Sequence, residues 1–214
     1  VLGGSSCLNA MIWVRGARAD YDTWAYLGAE GWGWDDVLPV FERIERRAAG
    51  DVGIVNILAG YEADPIHQAI VAAAQECGIP FNADYIGATQ DGVSYMQFSI
   101  ENGIRHSTAA AYLRPIVGHP NLRVVLRARA SRLLFEGTRC VGVEFVRGGK
   151  VEREHAPEVI LSGGTIGSAQ LLLLSGVGPA DELRGHGIEV VADLPGVGRN
   201  LHDHLLSPVI FSAE

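Results

Sequence analysis

Two different periods run along this chain. In its first half, Val37, Val40, Phe41 and Ile44 recur at helical spacing in "GWGWDDVLPVFERIERR", which predicts a helix capped by Asp35, with Pro39 in the first turn and a charged tail facing water. Ahead of it, "RADYDTWAYLG" predicts a short helix with Asp20 as N-cap and Gly28 as its left-handed stop. A third helix carries the most complete set of signals. Asp64 caps it, Pro65 takes the first helical position, Ile66, Ile70, Ala74 and Cys77 form an apolar stripe assigned to the core, and Gly78 ends it.

From Asn121 the period shortens to that of strands. Three apolar runs and a charged return strand are punctuated at Glu136-Gly137-Thr138 and at Gly148-Gly149, and together they predict an antiparallel meander. "EVILS" then reads as a buried strand that breaks at Gly163-Gly164 into a short apolar helix, "SAQLLLLSG", closed by Gly176. Strand, glycine turn and helix in that order aim backbone N–H groups and a helix dipole at an anion. Helices early and strands late predict an α/β body with α+β character, taken as one body and not two independent folding units.

Composition narrows the partners. With 214 residues, 48% of them apolar, the chain can bury a sizeable core, and a net charge of -8 with basic residues spread among acids argues against nucleic acid. No apolar run reaches the roughly 20 residues of a membrane span. Cys7, Cys77 and Cys140 lie far apart without C-x-x-C spacing, so reduced thiols and a cytoplasmic setting are expected, with neither a disulfide framework nor a zinc site.

Candidate chemistry concentrates at the first residues. In "VLGGSSCLNAMIWVRG", Gly3 and Gly4 permit close approach of backbone to a ligand, and Ser5 and Ser6 supply hydroxyls suited to phosphate; a plain turn explains the same residues. No P-loop or nucleophile-elbow motif occurs. His202 and His204 flank Asp203 at a spacing that would put both imidazoles on one face of a strand, yet a polar loop accounts for them without a metal. His106 precedes Ser107 and Thr108, which read as caps of a helix running into Tyr112 and Leu113. Trp13, Trp24, Trp32 and Trp34 are assigned to core packing. No catalytic residue and no metal ligand is assigned.

Taken in order, four segments resemble the glucose-methanol-choline (GMC) flavin oxidoreductases. "VLGGSSCLNAMIWVRGARADYDTWAYLGAEGWGWDDVLPVFERIE" is similar to the first signature region and "VILSGGTIGSAQLLLLSGVGPADELRGHGIEVVADLPGVGRNLHDHL" to the second, with "GIRHSTAAAYLRP" and "NLRVVLRARASRLLFEGTRCVGVEF" similar to the section between. The resemblance implies a fragment of an FAD-binding fold carrying part of a substrate-binding region, residues 1–214 forming a partial N-terminal domain. It implies FAD as cofactor, with Gly3, Gly4, Ser5 and Ser6 beneath the pyrophosphate, Asn9, Ala10, Met11 and Ile12 along the flavin ring, and Ala130 holding the adenine through its backbone. By the same resemblance Gly163 and Gly164 are secondary candidates for contact.

Departures from the family pattern carry expectations of their own. The dinucleotide-binding glycine turn and the histidine that removes the alcohol proton are expected in segments before Val1 and after Glu214. Gly167 and Ala169 stand where Asn and Pro are more usual. Leu8 occupies the place where some oxidases bond a histidine to the flavin, so a non-covalent flavin is expected. The implied activity is oxidation of an alcohol CH–OH group by hydride transfer to flavin, with an oxygen-using oxidase or a non-catalytic binding domain as alternatives. The alcohol and the electron acceptor are left open.

Overall fold

The computed structural model describes residues 1–207 and residue 210. Within it the chain forms two compact units, Val1–Leu122 and Arg123–Glu214, where patterning suggested one body.

In the first unit, helix α1 (Arg18–Tyr26) begins after Ala17, so Asp20 sits in its first turn and is not the cap. Gly28 ends α1 in the left-handed region (φ +106°), as expected. Helix α2 (Trp34–Ile44) starts two residues earlier than a cap at Asp35 predicts, with Gly33 at the cap, and Pro39 lies inside the helix, beyond the first turn. The capping is partly non-local: Asp22 of α1 accepts the Trp34 N–H (3.0 Å) while Asp36 reaches back to the Gly33 N–H (3.2 Å). α2 runs into β1 (Glu45–Arg46), which pairs in parallel with β2 (Val55–Asn56). Val55, Ile57 and Ala111 form the core of this unit, with Trp13 and Ile44 against them.

Helix α3 (Pro65–Glu76) carries the predicted cap, Asp64 accepting the Ile66 N–H at 3.0 Å. Its buried face is not the predicted one. Val71 is buried, whereas Ile66 and Ile70 are more than half exposed and Cys77 is exposed, because the described residues pack only on the Val71 side. Strands β3 (Ile100–Glu101) and β4 (Ile104–Arg105) form a hairpin around Asn102-Gly103, both at positive φ. A wide helical turn, Ala109–Leu113, follows; Thr108 is its N-cap without a side-chain capping bond, and Ser107 Oγ accepts the Ala110 N–H (3.3 Å). Trp24 and Trp32 are about half exposed and meet edge to face at 6.0 Å, so core packing does not account for them.

The second unit is built on the predicted meander. β5 (Ala128–Glu136), β6 (Arg139–Arg147) and β7 (Lys150–His155) pair antiparallel, joined at Gly137-Thr138 and at Gly148-Gly149, the latter pair both at positive φ, as a tight primed turn requires. Helix α4 (Gly164–Leu174) starts earlier than predicted and leads to β8 (Val177–Gly178), helix α5 (Ala180–Gly185) and β9 (Ala192–Asp193), which lies parallel to β8. Leu133, Phe145, Val177, Ala180 and Leu183 are its buried apolar residues. "EVILS" forms no strand, and Ile160 is 79% exposed. An apolar run becomes a strand only when it finds a ladder, and none of the described residues offers one to Val159–Leu161.

Candidate functional site

Gly3 opens the first loop in the left-handed conformation (φ +88°), and a Cβ there would stand 2.7 Å from the Cys7 sulfur and 3.1 Å from the Ala109 Cβ. Only glycine lets this turn close. It leads into a 3-10 turn, Gly4–Cys7. Gly4 is also left-handed (φ +54°), but a Cβ on it would meet nothing within 4 Å: its open side faces outward. Gly4, Ser5, Leu8, Asn9, Ala10 and Ile12 are exposed, while Ser6, Cys7 and Met11 between them are partly buried.

The two serines have different roles. Ser6 Oγ donates to the Gly3 carbonyl and accepts the Thr108 N–H (3.0 Å), while Thr108 Oγ1 also reaches the Gly3 carbonyl (3.2 Å). Its hydroxyl is thus spent inside the loop, and Ser5 is the serine left facing outward. Cys7 is likewise turned inward, its thiol on the Leu2 carbonyl (2.9 Å). Leu8, 79% exposed, offers no nucleophile.

Beyond the turn the chain is held at Asn9, Met11 and Trp13. The Met11 N–H donates to Asn9 Oδ1 (3.1 Å) and holds Met11 at φ +64°, a conformation non-glycine residues avoid. The Met11 carbonyl accepts the Ser99 N–H (2.8 Å), and the Trp13 N–H donates to the Gln97 carbonyl (2.8 Å). Arg105, on β4, closes the arrangement: its Nη1 donates to the Ser6 carbonyl (3.1 Å), the Asn9 carbonyl (2.7 Å) and Asn9 Oδ1 (2.8 Å). Arg105 and Thr108 are functional-loop residues that the sequence reading missed. The Asn-Gly dipeptide at 102–103, a strong hairpin signal, was available and would have placed Arg105 on a return strand.

Beneath lies a polar bed, also unforeseen. Arg15 and Glu45 form a buried ion pair, with Arg15 Nε 2.9 Å from Glu45 Oε1, and the indole N–H of Trp13 donates to the same carboxylate (2.7 Å). Tyr85 passes its hydroxyl to the Trp13 carbonyl (2.8 Å) and accepts the Gln97 N–H (2.7 Å). His106 accepts the Asn56 N–H on Nδ1 (3.0 Å), so its proton is on Nε2, 3.3 Å from Glu101. A structural role for His106 agrees with its burial.

Asp84 joins this bed to the surface. Burial pushes its carboxyl up, but bonds from Arg47 (2.6 Å) and the Gln97 amide (2.9 Å) outweigh that and hold it below the ordinary 3.8. A carboxyl lowered by folding stabilises the fold above its unfolded value, and that contribution is lost as pH falls through the folded one. Asp84→Asn is therefore expected to flatten the acid limb of a stability-against-pH curve below about pH 4. Urea midpoints collected at steps from neutral to acid check this, and parallel curves for parent and variant would rule it out.

Eight of the nine residues assigned to cofactor, Gly3, Gly4, Ser5, Ser6, Asn9, Ala10, Met11 and Ile12, thus come together in the first unit. Ala130 belongs to the second. There it pairs with Phe145 in the ladder, next to a bulge at Ser131, and its side chain is exposed. Gly163 caps α4 and Gly164 is its first residue, so the glycine turn does open a helix. His202 and His204 are exposed, and no group of three metal-ligating side chains occurs among the described residues. No helix of the described residues is long and apolar enough to cross a membrane.

The exposed side of the loop thus offers open space over Gly4, the Ser5 hydroxyl, and apolar Ala10 and Ile12 alongside. A family model described as GMC oxidoreductase matches residues 1–206. The chain is 47% identical to "Choline dehydrogenase, mitochondrial" of Mus musculus over 212 residues, covering 96% of this chain and 36% of that protein. It is 45% identical to "Oxygen-dependent choline dehydrogenase" of Brucella anthropi, covering 96% and 38%. The chain therefore spans little more than a third of the length of these relatives. Among solved structures, pyridoxine 4-oxidase from Mesorbium loti superimposes with a TM-score of 0.88 at 33% identity, over 94% of this chain and 41% of that one. An FAD-dependent oxidoreductase from Chaetomium thermophilum gives 0.87 at 31%, over 95% and 39%. The chain belongs to the GMC oxidoreductases, the FAD-dependent enzymes whose signature regions it resembles.

Proposed function

We propose that the complete protein oxidises an alcohol CH–OH group to a carbonyl, that its substrate is a choline-like primary alcohol, and that residues 1–214 are part of its FAD-binding domain. The observation that carries the reading is the open side of the Gly3–Ile12 loop, where backbone that only glycine can follow lies beside exposed Ser5, Asn9 and Ala10. When bound, FAD supplies the acceptor for the hydride leaving the alcohol carbon, while the hydroxyl proton passes to a base. Gly4 and Ser5 would lie against the phosphates, Asn9, Ala10, Met11 and Ile12 along the ring, and the backbone of Ala130 at the adenine. Ser6 serves this site indirectly, by tying the turn to Thr108. Support for the substrate class comes from the relatives named as choline dehydrogenases. The three free cysteines support a reducing compartment, and we place the protein in the cytoplasm.

Purification of the full-length protein containing this chain tests the reading. It is expected to be yellow, to release its flavin into the supernatant on acid precipitation because Leu8 cannot bond it, and to bleach anaerobically on addition of choline. A colourless protein, or a flavoprotein that no alcohol bleaches, overturns the assignment. Yellow colour retained on the pellet overturns the non-covalent attachment alone.

A further inference from the structure

We propose that Arg105 is a positioning residue for the flavin loop, which fixes the Asn9 carboxamide so that its NH2 group faces the ligand. This rests on the reading of the loop as the flavin site. Asn9 Oδ1 receives two hydrogen bonds, from Arg105 Nη1 (2.8 Å) and from the Met11 N–H (3.1 Å). Both partners are donors, so the atom they meet is the oxygen, and the orientation of the amide is decided by chemistry. Its nitrogen then has no partner among the described residues, and Asn9 is exposed on the same stretch as Ala10 and Ile12. What the loop presents at this point is a pair of N–H donors.

Arg105 is suited to hold that orientation. A single guanidinium nitrogen binds the carbonyls of Ser6 and Asn9 as well as Oδ1, so backbone and side chain are located by one group. The same Oδ1 anchors Met11 in its left-handed conformation. If Arg105 is lost, the amide is free to turn over, which would present an acceptor where a donor stood and withdraw the anchor from Met11. A flavin ring gains negative charge on two-electron reduction, and a donor held against it favours the reduced form. Arg105 acts on the cofactor through Asn9.

The test is the two-electron midpoint potential of the full-length holoprotein, with FAD affinity of the apoprotein measured alongside. Arg105→Lys keeps the positive charge, but its side chain is shorter, so its ammonium stops short of the point from which Nη1 reaches Ser6 and Asn9. It is expected to weaken FAD binding and to lower the reduction equilibrium at least tenfold, about 30 mV for a two-electron couple. Asn9→Ala is expected to lower the potential similarly, and the double variant to fall no further than Asn9→Ala alone. Asn9→Asp guards against misfolding: it keeps both acceptor contacts and removes only the outward N–H groups, so the melting temperature should hold while the potential drops. Parental potentials in Arg105→Lys or in Asn9→Asp, or additive shifts in the double variant, overturn the proposal. Absence of FAD from the parent instead overturns the flavin reading on which it rests.

Discussion

Glu45→Ala is expected to destabilise the full-length protein by about 3–5 kcal/mol, because it leaves the Arg15 guanidinium buried without its counter-charge. The side chains of Arg15 and Glu45 are 8% and 1% exposed, so water cannot take the place of the missing carboxylate. The change also strips the Trp13 indole N–H of its acceptor, which puts the cost toward the upper end. Against a total stability of roughly 5–15 kcal/mol, that is a large fraction. Replacing both partners with hydrocarbon of similar length, Arg15→Met with Glu45→Leu, should cost less than Glu45→Ala alone, since no charge is then stranded. Urea denaturation with an unchanged m-value measures each difference. A Glu45→Ala midpoint within error of the parent would mean that the pair is not closed in solution. The consequence reaches the Gly3–Ile12 loop, because Trp13 follows Ile12 directly and its backbone closes the run that begins at Gly3.

How much of this was legible depended on the distance over which each interaction acts. The Asp64 cap, the Gly28 and Gly78 stops and the Gly148-Gly149 turn are decided by neighbouring residues, and the sequence shows them. Asp35 was misread because the N–H groups at the start of α2 are satisfied by Asp22, from another helix, and no local pattern announces that. The α3 stripe and "EVILS" failed for a related reason. Hydrophobic period marks a face or a run that wants cover, but Ile70 and Ile160 are left more than half exposed by the described residues. At the candidate site, the glycines were legible as backbone that must come close to something. The difference between Ser5 and Ser6 was not, because it is made by Thr108, and the clasp on Asn9 is made by Arg105, each about a hundred positions away. Resemblance placed all four segments in one protein; only coordinates showed which side chains were already occupied.

Gly4 is the residue at which this distinction can be read as an affinity. Its φ of +54° is left-handed, and alanine there should cost roughly 1–2 kcal/mol of strain whether or not a ligand is present. Since a Cβ meets nothing within 4 Å, the fold itself raises no steric objection. A larger side chain would occupy the open space against which the cofactor's phosphates are proposed to lie. Gly4→Val is therefore expected to leave a folded protein whose FAD dissociation constant has risen about 100-fold, close to 2.8 kcal/mol at 1.4 kcal/mol per decade. Gly137→Val is the matched control, because Gly137 has nearly the same conformation (φ +60°) and equally open surroundings in the β5–β6 turn. It carries the strain without the ligand, and should lower the melting temperature while leaving FAD affinity at the parental value. Gly3→Ala separates the remaining case: its Cβ would press on the Cys7 sulfur at 2.7 Å, so it should damage the loop itself and lower stability and affinity together. Fluorescence titration of each apoprotein with FAD, beside thermal melts, distinguishes the three patterns. A Gly4→Val protein with parental affinity would move the phosphates away from this loop.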